Sequence, residues 1–206
     1  MLRTAAIAAF VAIIFSGCSS VAEPAFSVVR SESPFEIRDY APMIVAETKV
    51  QGNRDEAVRA GFRVLADFIF GNNTARTEIA MTAPVTQAKG EEIAMTAPVT
   101  QTENNGIWTI GFVMPASYTM ATLPRPNDPK VTIREVLGRR VTVVVYSGSS
   151  GENEVRQQTT ALELWMDRRG LAVAGAPVVA RYDPPWTLPM FRRNEILIEI
   201  APPLSR

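Results

Sequence analysis

The sequence predicts an α+β domain of two similar halves, each a set of short antiparallel strands covering one amphipathic helix. Three observations lead there. Apolar residues alternate with polar ones in several separate runs along the 206 residues, the period of half-buried strands. Residues 53–70 and 153–169 instead repeat apolar positions every three to four residues, as a helix with one buried face does. The order strands, helix, strands then occurs twice, and each helix needs a sheet to hide its apolar stripe.

Three short strands come first, around Phe26 and Val28, Phe35 and Ile37, and Met43 to Val50, separated by turns at Ser33-Pro34 and Ala41-Pro42. Asn53 is placed to cap the first helix, with Asp55 and Glu56 in its first turn, where the helix dipole favours negative charge. Val58, Phe62, Leu65 and Ile69 form its stripe, Gly61 offers a point of close approach, and Gly71 ends it. The decapeptide EIAMTAPVTQ follows at 78–87 and again at 92–101, with Gly90 in the four-residue connector. This reads as a hairpin, with Pro84 and Pro98 at bulges or on an open edge. The duplication is either an extra surface hairpin or a pair of strands lining a ligand groove with Met81 and Met95.

A turn at Asn104-Asn105-Gly106 leads into a strand over 107–114, and the Pro-rich residues 123–129 are expected to be loop. Val131, Ile133 and Glu135, then Val141 to Tyr146, predict a second hairpin around Gly138. Residues 147–151 read as a flexible link. Asn153 is placed to cap the second helix, with Val155, Leu162, Trp165 and Met166 on one face and Gly170 as its stop. A strand from Val173 to Tyr182, an aromatic and Pro-rich loop at 183–191, and a strand through Ile196, Ile198 and Ile200 complete the order.

Composition excludes several functions. Lys plus Arg equals Asp plus Glu at 21 each, so no basic face for nucleic acid is expected. Histidine is absent, which removes Ser-His-Asp and Cys-His nucleophile systems and leaves carboxylates alone for zinc. No enzyme is expected. The chain opens with Arg3, an apolar run from Ala5 to Phe15, and Ser16-Gly17-Cys18, an export signal too short to span a bilayer. Around its single cysteine this start resembles the lipobox of bacterial lipoproteins. The resemblance implies a signal peptide over 1–17, acylation of Cys18, a tether over 18–24 and a domain over 25–202. Ser19 resembles the signal for sorting to the outer membrane, facing the periplasm.

Several segments together resemble the SOUL haem-binding family: EIRDYAP at 36–42, FGNN at 70–73, IAMTAPV at 79–85, the run from Pro124 to Glu135, YDPPW at 182–186 and RRNEI at 192–196. The resemblance implies a distorted antiparallel β-barrel with two flanking helices and a pseudo-two-fold relation between its halves. It also implies non-catalytic binding of haem or another tetrapyrrole, a small flat apolar ligand, in a groove between the first helix and the loop at 183–191. Matched residue by residue, Arg59 falls on a basic position of that helix, Phe62 and Ala66 where methionines stand, and Asp67 and Thr187 on lysines. The implied contacts are Arg59, Phe62, Leu65, Ala66, Tyr182, Trp186, Leu188 and Met190. Without histidine, axial ligation falls to Met81, Met190 or Tyr182. Arg192 and Arg193 face either propionates or Glu195. The alternative is an envelope interaction module that takes a protein segment by strand addition.

Overall fold

The computed structural model describes residues 21–76 and 90–201. Strands β1 (Phe26–Glu32), β2 (Phe35–Tyr40) and β3 (Met43–Gln51) lead into helix α1 (Arg54–Ile69). A two-residue β4 (Asn73–Thr74) precedes β5 (Val99–Asn104), β6 (Ile107–Val113), a two-residue β7 (Arg125–Pro126), β8 (Thr132–Val136) and β9 (Arg139–Ser147). Helix α2 (Glu152–Asp167) is followed by β10 (Val178–Arg181) and β11 (Arg193–Glu199). Nine strands form one antiparallel sheet in the order β1-β2-β9-β11-β10-β5-β6-β3-β8.

From its centre the sheet runs β5-β6-β3-β8 in one direction and β10-β11-β9-β2 in the other. The segment β3-α1-β5-β6 therefore corresponds to β9-α2-β10-β11, which is the expected pseudo-two-fold relation. Each outer strand, however, comes from the opposite half: β8 pairs with β3, and β2 with β9. The expected hairpin of β8 and β9 accordingly does not form. Val136 pairs with Met43, whereas Arg139 pairs with Tyr40, so the chain leaves one half of the sheet for the other within three residues. Gly138 marks this crossing, and a Cβ there would stand 3.2 Å from the Tyr40 carbonyl and 3.4 Å from Pro42. The two crossings touch.

Alternation along the strands supplies both faces of the sheet. Ala46, Ile110 and Phe112 turn toward α1 and pack with Leu65, Phe68 and Ile69, while Val144, Ile196 and Ile198 turn toward α2 and pack with Leu162, Trp165 and Met166. Their sequence neighbours Val45, Val113 and Val143, with Val141 two residues before Val143, fill the opposite face. Gly61 brings α1 close to β6, and a Cβ there would lie 2.5 Å from Ile110 Cγ1. Asn53 caps α1, its Oδ1 accepting the Glu56 N–H at 3.0 Å. At α2 the cap is Gly151, and Asn153 lies inside the first turn.

Four local expectations are corrected. The Pro-rich segment contributes β7, which pairs with β4. The strand expected from Val173 reduces to Val178–Arg181, with Val173 making one bridge to Ile200. Residues 147–151 are braced: Gly148 N–H donates to the Pro189 carbonyl at 2.9 Å, and Arg54 and Arg181 both donate to the Ser150 carbonyl. In the second EIAMTAPVTQ copy only Val99 onward is strand. Ile93 N–H bonds the Ile69 carbonyl at 2.8 Å, Thr96 bridges Ala22, and Pro98 stands just before β5. The copy spends its pairing on the end of α1 and the N-terminal segment. The first copy, Met81 and the expected hairpin lie outside the described residues, as do Cys18 and the signal.

Candidate functional site

Helical geometry sets Arg59, Phe62 and Ala66 on one outward stripe of α1, at spacings of three and four, and Phe70 continues it. Phe62 keeps 38% of its surface exposed, with its ring edge-on to Phe112 at 5.3 Å. Arg59 donates from Nε to the Asp55 carbonyl at 3.1 Å and has no ion-pair partner among the described residues. Leu65 differs from the expectation. It is fully buried with Phe68 between α1 and the sheet, so the space beneath the helix is closed by its own side chains.

The loop after β10 supplies the larger apolar surface. Trp186 is 82% exposed, Phe191 70%, Met190 66% and Leu188 57%. Hydrogen bonds hold its backbone: Arg192 donates to the Thr187 carbonyl at 2.7 Å and the Pro185 carbonyl at 2.6 Å, and Asp183 accepts the Arg193 N–H at 2.6 Å. The loop thus presents large apolar side chains to water on a backbone that hydrogen bonds brace. The link at 147–151 joins the two surfaces, bonded to Arg54 of α1 on one side and Pro189 of the loop on the other.

Tyr182 is held by Glu195. Its hydroxyl donates to Glu195 Oε2 at 2.7 Å, and the Arg193 guanidinium lies 3.9 Å from its ring centroid. Burial, then the Glu195 charge, raises its pKa above the usual phenol value, and its hydroxyl is engaged with Glu195. Glu195, fully buried, also accepts from Arg38 at 3.0 Å and from Arg193 Nε and Nη2 at 3.0 and 2.8 Å. Burial acts to lower the Arg38 pKa, but the Glu195 charge and the bonds with Tyr40 and Glu36 outweigh it and raise the pKa. A buried carboxylate so fully engaged is structural. Arg193 is spent on Glu195 and Glu23, and Arg192 on carbonyls, so neither is free for propionates.

Two concavities lie elsewhere. A cavity of about 480 Å³ opens at one end of the sheet beside Ala22, Pro42, Met43, Met114 and Leu137; its charged residues are Glu23 and Glu135, with no cation to meet a propionate. A second, of about 240 Å³, lies on the sheet face away from the helices, beside Val45, Val136 and Val141. None of the expected contacts lines either one. Among the described residues no group of three His, Cys, Asp or Glu could hold a metal. For a tetrapyrrole the chain therefore offers open apolar surface, the unpaired Arg59 and the exposed thioether of Met190. That suits the flat faces of a macrocycle better than strong axial ligation.

Comparison with known proteins gives a consistent answer. The chain is 28% identical over 164 residues to "Heme-binding protein 2" of Mus musculus, covering 79% of this chain and 76% of that protein. The crystal structure of the EcmrR C-terminal domain superposes with a TM-score of 0.60 at 10% identity, covering 81% of this chain and 96% of that one. A protein from Listeria innocua described as a hydrolase superposes at 0.51 and 11% identity, covering 84% and 94%. At such identities the two structures establish the shared fold alone. The family model for "SOUL heme-binding protein" matches residues 21–199. That match takes in both helices and every strand of the exchanged sheet, and the chain belongs to the SOUL haem-binding family.

Proposed function

We propose that this protein binds haem or a related tetrapyrrole, without catalysing a reaction, on the open surface formed by the outward stripe of α1 and the braced loop at 183–191. The observation that carries this reading, beside the family, is the exposure of Trp186, Leu188, Met190 and Phe191 on a backbone that hydrogen bonds hold still. A preformed apolar surface loses little entropy on binding a rigid macrocycle. Arg59, Phe62 and Ala66 supply the second wall and a cation for a propionate, and Met190 supplies a weak ligand for iron. Leu65 and Tyr182 support the site from beneath.

The protein acts from the cell envelope, held by lipid on Cys18 at the outer membrane and facing the periplasm. Glu23 is ion-paired to Arg193 at 3.0 Å, which fixes the N-terminal segment beside the base of the loop. Glu23 lies five positions after Cys18, at most about 18 Å of extended chain, so the bilayer and the ligand surface lie close together. Metabolic labelling with palmitate tests the anchor: wild type takes up label, and Cys18→Ser does not. Haemin quenching of tryptophan fluorescence tests the site. Trp186 is the exposed indole, so Trp186→Phe removes the most strongly quenched component; quenching of equal depth in the variant places the ligand elsewhere.

A further inference from the structure

Between the N-termini of the two helices lies a group of buried donors that the tetrapyrrole surface does not use. Arg54, the first residue of α1, is 8% exposed; it donates to the Ser150 carbonyl at 2.6 Å and to Gln101 Oε1 at 3.1 Å. Arg181, on β10, donates to the same carbonyl at 3.0 Å. Two guanidinium groups thus share one neutral acceptor, and neither has an ion pair among the described residues.

The sheet register builds the rest. Tyr146, Asn194 and Arg181 stand directly opposite one another across β9, β11 and β10, and Gln101 lies diagonally beside Arg181 on β5. Four buried polar atoms of this group find no hydrogen-bond partner: Arg54 Nε, Arg181 Nε, Gln101 Nε2 and the Tyr146 hydroxyl. All four can donate. Ser150 immediately precedes Gly151, the N-cap of α2, so the amide ends of both helices add positive potential at this place. Burial, followed for Arg181 by the charge of Arg54, holds both guanidinium pKa values below the ordinary arginine value. Asp55 and Glu152 offset the charge only from exposed positions in the first helical turns.

A buried and a half-buried cation without an ion-pair partner are costly, and so are four unsatisfied donors. A single species that only accepts hydrogen bonds and carries negative charge resolves both. We propose that Arg54, Arg181, Gln101 and Tyr146 form a binding site for one small anionic group, a carboxylate or inorganic oxyanion. The group has two sources, a free ion or an acidic arm of a ligand seated on the neighbouring loop, and the second source rests on the tetrapyrrole reading.

The unlipidated chain from residue 18 with Cys18→Ser, which contains every described element, serves for the test. Sodium acetate or phosphate replaces a bulky sulfonate buffer salt at constant ionic strength while the melting temperature is followed. Wild type gains stability saturably, and Arg181→Gln and Gln101→Leu do not. In the sulfonate buffer Arg181→Gln melts no lower than wild type, because it relieves the repulsion with Arg54. An arginine with a purely structural role gives the reverse. Haemin and its dimethyl ester then separate the sources: an ester at least tenfold weaker in wild type, but not in Arg181→Gln, assigns the site to the ligand's carboxylate. A saturable anion effect with equal binding of acid and ester assigns it to a free ion. No saturable effect together with equal binding overturns the site. Failure of haemin to bind at all removes the tetrapyrrole reading, and the anion titration alone then decides the site.

Discussion

Glu195 is a carboxylate held at the centre of an apolar fold by partners from distant parts of the chain. Arg38 reaches it across 157 residues of sequence, and no local pattern announces that pairing. Glu195→Gln leaves the buried Arg38 with the part-exposed Glu36 as its one remaining carboxylate among the described residues and is expected to cost about 3 kcal/mol in urea denaturation. Adding Arg38→Met to Glu195→Gln removes the buried cation while the glutamine amide oxygen still accepts from Tyr182 and Arg193, and should recover part of that loss; a double variant as unstable as the single one contradicts this account. Tyr118 gives a second test. Its hydrogen bond with Glu91, ahead of burial and the carboxylate charge, pushes its pKa up to about 12. A phenol whose folded pKa lies above its unfolded value of about 10 stabilises the fold in its protonated form. That contribution is complete below the unfolded pKa and is lost as pH rises through the folded one. Wild type should therefore exceed Tyr118→Phe by a constant margin at neutral pH, and the margin should close in the alkaline range. Asn53, by contrast, is legible from sequence, because a cap acts on an amide three residues away.

Elements were readable where one face of a repeating pattern decides them. The stripe of α1 and the place of Gly61 on it follow from spacing alone, and the structure sets Gly61 against Ile110. Gly61→Ala forces α1 away from β6 and should destabilise by about 1–3 kcal/mol, read from the denaturation midpoint; an unchanged midpoint means the helix is less tightly seated. The strand pattern of β8 and β9 was equally legible, but their pairing was not. Nearness in sequence suggests a hairpin, whereas the crossing at Gly138 sends each strand to a different partner. The second EIAMTAPVTQ copy shows the same limit. Its alternation puts Ile93, Met95 and Ala97 on one side, but Met95 is exposed and Thr96 between them is buried, because the segment is not strand before Val99 and its partners are the end of α1 and the segment before β1. Periodicity reports the buried side only where the chain forms the regular element that the period assumes.

At the scale of the whole molecule, two halves exchange their outer strands and so close one sheet that neither half completes alone. The repeated order of elements makes the halves visible in sequence; the exchange appears only in the register. The site divides in the same way. Phe62, Ala66 and Arg59 share an outward stripe, and Trp186, Leu188 and Met190 lie on an exposed loop; the family resemblance groups them, whereas spacing alone sets Phe62 on the buried stripe of α1. Leu65 and Tyr182 carry equally apolar signatures, but the first fills the core and the second serves Glu195. Arg54 and Arg181 were invisible as a pair, since one opens a helix and the other ends a strand 127 positions later. The most direct measurement is an absorption titration of haemin into the unlipidated chain, beside Phe62→Ser with Trp186→Ser. Binding on the open surface predicts a saturable shift of the haem band at one haemin per wild-type chain and an affinity at least tenfold weaker in the double variant, which keeps its cooperative melt. No saturable shift, or equal affinity in both proteins, contradicts it.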